Sequence, residues 1–235
     1  MTQNHSLNPS PISLVISVAG PDASKFLQGQ LSCDVTALED GHSTLGAYCN
    51  IKGKVEALFT LVRSASTYYL HLPETVITAT FNELRKYAVF SKVELSTIEQ
   101  DSINQNDEQA ILAKIPEIYP ETIGLFFPHD LNLPALKAVS FTKGCFRGQE
   151  IIARMQHRGN LKRSLQQFSA NINSINPGDL VTTGAADNTT VAGTVVRTCL
   201  NNNGETMGLA VITDTMLQLP LYVGVPPVKL QLLLS

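Results

Sequence analysis

The 235-residue chain contains no tryptophan, and aromatic residues make up only 6% of it. Stacking against a planar ligand would therefore depend on its six tyrosines and nine phenylalanines. The chain is 43% hydrophobic and only 16% charged, which excludes a disordered chain and fits a globular one. Residues 1–13 are polar without the basic start of a secretion signal, and no apolar run is long enough to cross a membrane. We expect a cytoplasmic protein.

Cysteine is also scarce. The four cysteines, Cys33, Cys49, Cys145 and Cys199, form no C-x-x-C pair and show no metal-finger spacing. Scattered cysteines are typical of reduced thiols in a cytosolic protein. Because thiolate ligation of a metal cluster usually shows clustered spacing, we expect no metal site within the chain.

The small net charge of −3 hides an asymmetry. Residues 143–163 carry six cations against the single acid Glu150, a net charge of +5 that leaves −8 for the rest of the chain. A positive strip on an acidic protein suits a small anion or an acidic partner better than bulk nucleic acid, which requires a broad basic face. A solvated helix face next to a basic turn would show the same pattern.

Residues 143–150 read Lys-Gly-Cys-Phe-Arg-Gly-Gln-Glu and form the most informative segment, called the KGC motif below. Good helix formers follow, with Glu150 and Arg154 spaced as an i, i+4 pair, so Cys145 is predicted to lie just before a helix N-terminus. Helix-terminal amides together with Lys143 and Arg147 favour a thiolate at this position. The alternative is a tight turn with a small apolar cysteine facing the core.

Strand and helix signals predict an α+β protein. Residues 12–18 and 68–72 indicate strands, residues 75–87 an amphipathic helix, and residues 51–54 a hairpin turn containing Gly53. A helix is expected to start at Gly20-Pro21-Asp22, and the polar residues 100–109 to form a loop or linker. Beyond Arg163, short strands and turns predict a small C-terminal β-barrel. We predict domains at 1–163, with two lobes, and at 164–235.

The KGC motif resembles the signature of the YgfZ-type folate-binding proteins, relatives of the glycine-cleavage aminomethyltransferase (GcvT). Three further stretches are similar to family segments in the same order: GPDASKFLQGQL at 20–31, YCNIKGKV at 48–55 and LRKYAVFSKV at 84–93. The resemblance implies a GcvT/YgfZ-like, multi-lobed folate-binding fold with a C-terminal β-barrel. The family stretch after residue 93 is short here, so we expect the middle lobe to be trimmed.

The family's role implies a folate-binding accessory protein that supports iron–sulfur cluster assembly or repair, and through it cluster-dependent tRNA modification. Its ligand would be tetrahydrofolate or a derivative, and its partners iron–sulfur enzymes or cluster-assembly proteins. Cys145 is then the functional thiol, supported by Lys143 and Arg147. The candidate ligand-binding residues are Tyr48, Asn50, Lys52, Tyr87, Gln149, Glu150, Arg154 and Arg158, with Phe90 and Phe146 as further stacking candidates. The three basic members of this set, Lys52, Arg154 and Arg158, are the candidate anchors for the glutamate tail, since cations pair strongly with carboxylates.

Three alternatives stay open. A tetrahydrofolate-dependent aminomethyltransferase would need a carboxylate to steer proton transfer, and Asp34 is the acid that lies in a family-like motif. A thiol hydrolase built on Cys145 would need a histidine within reach, and His129 and His157 are the candidates. Direct tRNA binding could use the basic strip, although a link to tRNA through a cluster enzyme requires no contact with RNA.

Overall fold

Two antiparallel sheets, one in each half of the chain, organise the protein. A computed structural model describes residues 12–101, 106–159, 161–184, 189–201 and 204–233, apart from the side chains of Ile12, Asp101 and Arg158. The predicted α+β class is confirmed.

The N-terminal half is a five-stranded sheet with the order β2-β3-β4-β1-β5. Its strands are β1 (Ile12–Ala19), β2 (Ser43–Cys49), β3 (Val55–Ser64), β4 (Thr67–His71) and β5 (Glu94–Asp101). Two helices, α1 (Ala23–Gln30) and α2 (Glu74–Ala88), pack Leu27 and Leu84 into its core against Ile16 and Leu70. The predicted strands, the helix at 75–87 and the hairpin around Gly53 are confirmed. The first helix starts at Ala23, slightly later than expected.

The prediction of a loop over residues 100–109 is wrong at both ends. Gln100 belongs to β5 and pairs with Ser13 of β1. A short helix, α3, covers Asp107–Leu112. Residues 102–105 lie outside the described residues. The strand was missed because β5 is an edge strand, where exposed polar side chains are normal and hide the alternation of a half-buried strand.

The described chain between α3 and the KGC motif consists of turns and one short 3-10 helix at Pro120–Thr122. The KGC motif follows, and helix α4 spans Gln149–Arg158. This small amount of regular structure fits the expected trimming of the middle lobe.

The C-terminal half forms a nearly closed barrel, as predicted. Its strands are β6 (Arg163–Ala170), β7 (Leu180–Thr183), β8 (Thr190–Leu200), β9 (Thr206–Thr213), β10 (Leu221–Val223), β11 (Val228–Lys229) and β12 (Gln231–Leu232). The order β11-β10-β7-β8-β9-β6-β12 places consecutive β11 and β12 at opposite edges. A one-residue connection through Leu230, whose N–H donates to the Leu221 carbonyl, therefore brings these edges together.

A shared apolar core joins the two halves. Ala47 and Leu58 of the first sheet, Ile152 of α4, and Leu165 and Leu209 of the barrel belong to one buried cluster. The segment between the sheets adds Ile118, Phe126, Leu131 and Leu133 to it. The KGC motif is consequently held at the junction of the two halves.

Candidate functional site

Two glycines allow the KGC motif to pack directly on the β2–β3 hairpin. Gly148 has a φ of 79°, and a Cβ atom there would lie 2.5 Å from the Asn50 carbonyl oxygen. Gly53 has a φ of 74°, and its own Cβ atom would lie 3.1 Å from the Cβ of Ile151 in α4. Helix α4 starts at Gln149, directly after Gly148, so the predicted position of Cys145 just before a helix N-terminus is confirmed.

Asn50 shapes the hairpin turn. Its Oδ1 accepts hydrogen bonds from the backbone N–H groups of Lys52 (3.0 Å) and Lys54 (3.1 Å). The Lys54 ammonium lies 3.6 Å above the Phe127 ring and donates to the Leu125 carbonyl at 3.0 Å. Lys52, a predicted ligand-binding residue, is exposed at the tip of the turn.

Lys143 ties the KGC motif to the segment after α1. Its side chain is buried, and its Nζ donates to the carbonyl oxygens of Leu31 and Cys33, both at 2.7 Å. The Phe146 ring centre lies 5.0 Å from the same Nζ. Burial lowers the pKa of Lys143 from 10.5 to about 8, although the nearby Cys33 and Asp34 act in the opposite direction. These contacts turn Lys143 inward, into the protein.

Arg147 joins the motif to α2. Its guanidinium lies 4.9 Å from the Tyr48 ring centre and 5.0 Å from that of Tyr87, and it donates to the Tyr48 hydroxyl. The Glu83 carboxylate lies 3.8 Å away. Burial lowers the pKa of Arg147. Three of the predicted site residues, Tyr48, Tyr87 and Arg147, are thus brought together, with Glu83 as an addition that the sequence did not indicate.

Cys145 is exposed, whereas Cys33 and Cys49 are buried and Cys199 is half-buried. Burial raises the pKa of the Cys33 thiol to about 11, and burial followed by the charge of Glu56 raises the pKa of Cys49 still further. Among the four thiols, Cys145 is therefore the one open to reagents. The action of Lys143 and Arg147 on this thiol stays a prediction, because both cations bind the other partners described above.

Arg147 with Tyr48, Tyr87 and Glu83 is called the Arg147 cluster below. A cavity of about 280 Å³ lies beside it. It is lined by Tyr48, Glu56, Ala79, Thr80, Asn82, Glu83 and Ile123, and is called the Glu56 cavity below. One carboxylate oxygen of Glu56, Oε2, is buried there without a hydrogen-bond partner in the described protein. Burial raises the pKa of Glu56 and the Glu83 charge adds to this, while a hydrogen bond with the Asn50 side chain opposes it.

Sequence reasoning missed Glu56 and pointed to Asp34 instead. Asp34 caps its own turn: its Oδ1 accepts hydrogen bonds from the Thr36 hydroxyl at 2.7 Å and the Gln28 amide at 2.9 Å. The Thr36 hydrogen bond, with smaller contributions from Gln28 and backbone N–H groups, lowers the pKa of Asp34 against the effect of burial. The sequence signal for Glu56 was an acid at the second position of β3, next to the apolar residues Val55, Ala57 and Leu58.

The exposed face of α4 carries the remaining predicted residues. Glu150 and Arg154 form the predicted ion pair at 2.7 Å, with the two side chains 81% and 50% exposed. Arg154 lines a second cavity of about 430 Å³ together with Phe127, Asp130, Ile151, Met155, Leu161, Lys162 and Arg163. Gln149 is half-buried at the start of the helix, and the side chain of Arg158 lies outside the described residues. The assignment of this helix face and of Lys52 to ligand binding stays a prediction.

The histidines proposed for a thiol hydrolase have other surroundings. The buried His129 contacts Gln156 through its Nε2, at 3.0 Å from the amide oxygen, and His157 is exposed on α4. Within the described part of the chain, no group of three or more His, Cys, Asp or Glu side chains is placed to hold a metal ion. None of the helices in that part is long and apolar enough to span a membrane.

The antiparallel sheet with its two helices and the C-terminal barrel together define a GcvT-like fold. The crystal structure of the glycine cleavage system aminomethyltransferase T from Bartonella henselae matches 97% of this chain and 86% of its own, with a TM-score of 0.62 at 14% sequence identity. The TM-score supports a common fold, and the low identity limits the likeness to the fold alone.

Sequence comparison gives more specific relatives than the structural comparison does. The tRNA-modifying protein YgfZ of Aliivibrio fischeri strain ES114 is 27% identical across 86% of this chain and 83% of its own length. The YgfZ protein of Colwellia psychrerythraea is 29% identical across 64% of this chain and 67% of its own length. An uncharacterised protein of Haemophilus influenzae is 35% identical across 66% of this chain and 70% of its own length. The chain therefore resembles the YgfZ proteins over most of its length. Comparison with protein-family models finds none that matches it.

Proposed function

We propose that the protein binds tetrahydrofolate or a derivative and acts as an accessory factor in iron–sulfur cluster assembly or repair. Through the cluster enzymes it serves, it supports tRNA modification. Relatives named tRNA-modifying proteins and a fold similar to an aminomethyltransferase support this proposal. Cys145 is the thiol that we assign to the task, since it is exposed at the start of α4 beside the Arg147 cluster.

The Glu56 cavity is the observation that carries folate binding. Its buried Glu56 oxygen has no partner, and the pterin ring of a folate offers adjacent N–H donors that a carboxylate can accept. Tyr48 supplies an aromatic wall. Since pockets for drug-sized ligands usually span about 300–1,000 Å³, a cavity of about 280 Å³ suits the ring system and leaves the glutamate tail outside.

Isothermal titration calorimetry with tetrahydrofolate tests this proposal. We expect a dissociation constant of about 1 μM or weaker, near −8 kcal/mol, because the trimmed middle lobe leaves the ligand less enclosed. Replacing Glu56 by Gln should weaken binding about tenfold or more, since a charged acceptor is lost. The exposed Glu99→Gln on β5 serves as the control and should bind normally. Absence of binding by the natural protein would contradict the proposal. Full affinity of the Glu56→Gln variant would show that tetrahydrofolate binds outside the Glu56 cavity.

A tetrahydrofolate-dependent aminomethyltransferase is the second candidate. The observation in its favour is that Glu56, unlike Asp34, places a carboxylate with a raised pKa inside a cavity, where it could steer a proton. The transferase would release ammonia from an aminomethylated lipoyl carrier only when tetrahydrofolate is present. Lack of ammonia release by protein that binds tetrahydrofolate would favour the accessory role.

A further inference from the structure

The turn after α2 places two large apolar side chains in water. Val89 is 73% exposed and Phe90 is 87% exposed, directly after the helix ends at Ala88. Tyr87, the residue before Ala88 in α2, is 37% exposed. Single exposed apolar residues are ordinary on protein surfaces, but three of them within four residues, two of them aromatic, form a patch. Residues 87–92 are called the Phe90 turn below.

The backbone of the Phe90 turn is fixed at both ends. The Ser91 N–H donates to the Ala88 carbonyl at 2.9 Å, which continues the last turn of α2. At the other end, the Lys92 N–H donates to the Asp22 carboxylate at 2.8 Å, and the Asp22 N–H donates to the Lys92 carbonyl at 3.3 Å. A side chain presented by an ordered turn loses less conformational entropy on binding than one on a mobile loop.

Positive charge surrounds this apolar patch. Arg85, Lys86 and Lys92 are exposed next to it, and Arg147 of the KGC motif reaches it through the Tyr87 ring, 5.0 Å away. The carboxylates near these cations are Glu83, which pairs with Lys86, Glu56, whose charge also acts on Lys86, and Asp22. Four cations against three carboxylates leave the patch with a net positive charge on a chain whose overall net charge is −3. An aromatic centre with a charged rim is the usual anatomy of a protein–protein contact.

We propose that the Phe90 turn is the docking site for a protein partner whose surface offers an apolar pocket rimmed by carboxylates. Charge complementarity would then guide the approach of the partner, and Phe90 would fill the pocket. The contact between Arg147 and the Tyr87 ring links this turn to the segment that carries the exposed Cys145.

A protein fits this surface better than an RNA strand. Single-stranded RNA sites place successive aromatic platforms along a basic groove, whereas Val89 beside Phe90 is aliphatic and offers no stacking face. The four cations are also fewer than the roughly 6–10 phosphate contacts of strong nucleic-acid binders. The C-terminal end of α2, from which the turn emerges, carries a partial negative charge that disfavours phosphate.

The cellular test rests on the proposed function. In cells that lack the native protein, the natural chain, Phe90→Ser and the control Leu219→Ser are compared for restored tRNA modification. Leu219 is 49% exposed in the barrel and lies outside the candidate site. Phe90, which the sequence offered as a stacking candidate, is exposed and does not line the Glu56 cavity. We therefore expect Phe90→Ser to restore about tenfold less modification, while its melting temperature and its tetrahydrofolate titration match those of the natural protein. Equal restoration by Phe90→Ser would overturn the docking site, whereas failure of the natural chain to restore modification would count against the proposed function instead.

Photocrosslinking tests the surface without that readout. The photoreactive residue p-benzoylphenylalanine is placed at position 90 or, as the control, at position 219 of the full chain in living cells. A discrete protein adduct is expected at position 90 only, and the pair Arg85→Glu and Lys92→Glu should reduce its yield about tenfold, since the rim charges are reversed. An RNA adduct at position 90, or equal adducts at both positions, would contradict the proposal.

Discussion

At the scale of single residues, Lys143 and Arg147 use their charges in different ways. Lys143 satisfies two buried carbonyl groups that follow α1, and Arg147 fills the space between two tyrosine rings. Both side chains belong to the KGC motif. Lys143 attaches the motif to the segment after α1, and Arg147 attaches it to α2. The motif is thus positioned by its cations, and Cys145 between them is left exposed.

Lys143→Met should lower the free energy of unfolding by about 1–3 kcal/mol at pH 7, because the Leu31 and Cys33 carbonyls lose their donor. The loss should grow as the pH rises from about 8 towards 10.5. In that window the folded natural protein has released the Lys143 proton and the unfolded chain still holds it, so only the natural protein gains stability with pH. Urea unfolding of both proteins at pH 7, 8, 9 and 10 measures this, and a constant difference across the series would refute the buried amine.

Cys145 should react with iodoacetamide faster than the other three cysteines at neutral pH. It is exposed, whereas burial holds the pKa of Cys33 near 11 and raises those of Cys49 and Cys199. Mass-spectrometric labelling rates give the order directly. Cys145→Ser should melt like the natural protein but fail to restore tRNA modification in cells that lack it. A marked loss of stability together with retained function would show that Cys145 is structural.

At the scale of secondary structure, the contact between the β2–β3 hairpin and the start of α4 is the tightest part of the site. Gly148 sits where a Cβ atom would meet the backbone oxygen of Asn50, which cannot move without opening the hairpin. The contacting residues Asn50 and Gly148 are 98 residues apart in the chain, so their contact closes a long loop. Any change that widens this contact also shifts the Glu56 cavity, because β3 provides Glu56.

Gly148→Ala should destabilise the protein by about 2 kcal/mol or more, through the strain of a left-handed backbone and the close contact with Asn50. Gly144→Ala is a matched control in the same motif, because nothing lies within 4 Å of its added Cβ atom. Urea denaturation should show a large shift for the first variant and almost none for the second. Equal stabilities of the two variants would disprove the packing described for Gly148.

Local pattern was sufficient to predict the regular elements that have strong periodicity. Helix α2 shows Ile77, Leu84 and Ala88 at helical spacing, and the hairpin is indicated by Gly53 between two apolar runs. The partners of Lys143 could not be predicted, because Leu31 and Cys33 are more than 100 residues away and are reached only through the fold. The burial of the Glu56 Oε2 atom could not be predicted either, because it depends on the packing of α2 residues around the cavity.

At the scale of the whole molecule, the two halves share a continuous apolar core rather than meeting at a polar interface. Leu165 and Leu209 of the barrel pack in one cluster with Ala47 and Leu58 of the first sheet. Fully burying a side chain of this kind stabilises a structure by about 1.5–3 kcal/mol. The barrel strands begin with β6 at Arg163, while the domain boundary at residue 163 stays a prediction. The shared core implies that the two parts depend on each other for stability.

Limited proteolysis should cut the chain first between Asp101 at the end of β5 and Asp107 at the start of α3, and only slowly inside β8 and β9 of the barrel. Because the shared core holds the fragments, they should co-elute in size-exclusion chromatography and separate only in denaturant. Rapid cleavage within residues 191–212 would contradict the barrel, and fragments that separate in native buffer would contradict the shared core.

The placement of Arg147 has a thermodynamic consequence. Its guanidinium touches Tyr48 and lies 3.8 Å from Glu83, two residues that line the Glu56 cavity, while its backbone belongs to the segment that holds Cys145. If a ligand in the cavity shifts the equilibrium of a reversible reaction at the Cys145 thiol by displacing Arg147, linkage requires a reciprocal effect of equal free energy. The reacted form of Cys145 must then change the ligand's dissociation constant by the same factor as the ligand changes that equilibrium. The two sites would behave as one coupled system whose coupling energy can be measured from either end.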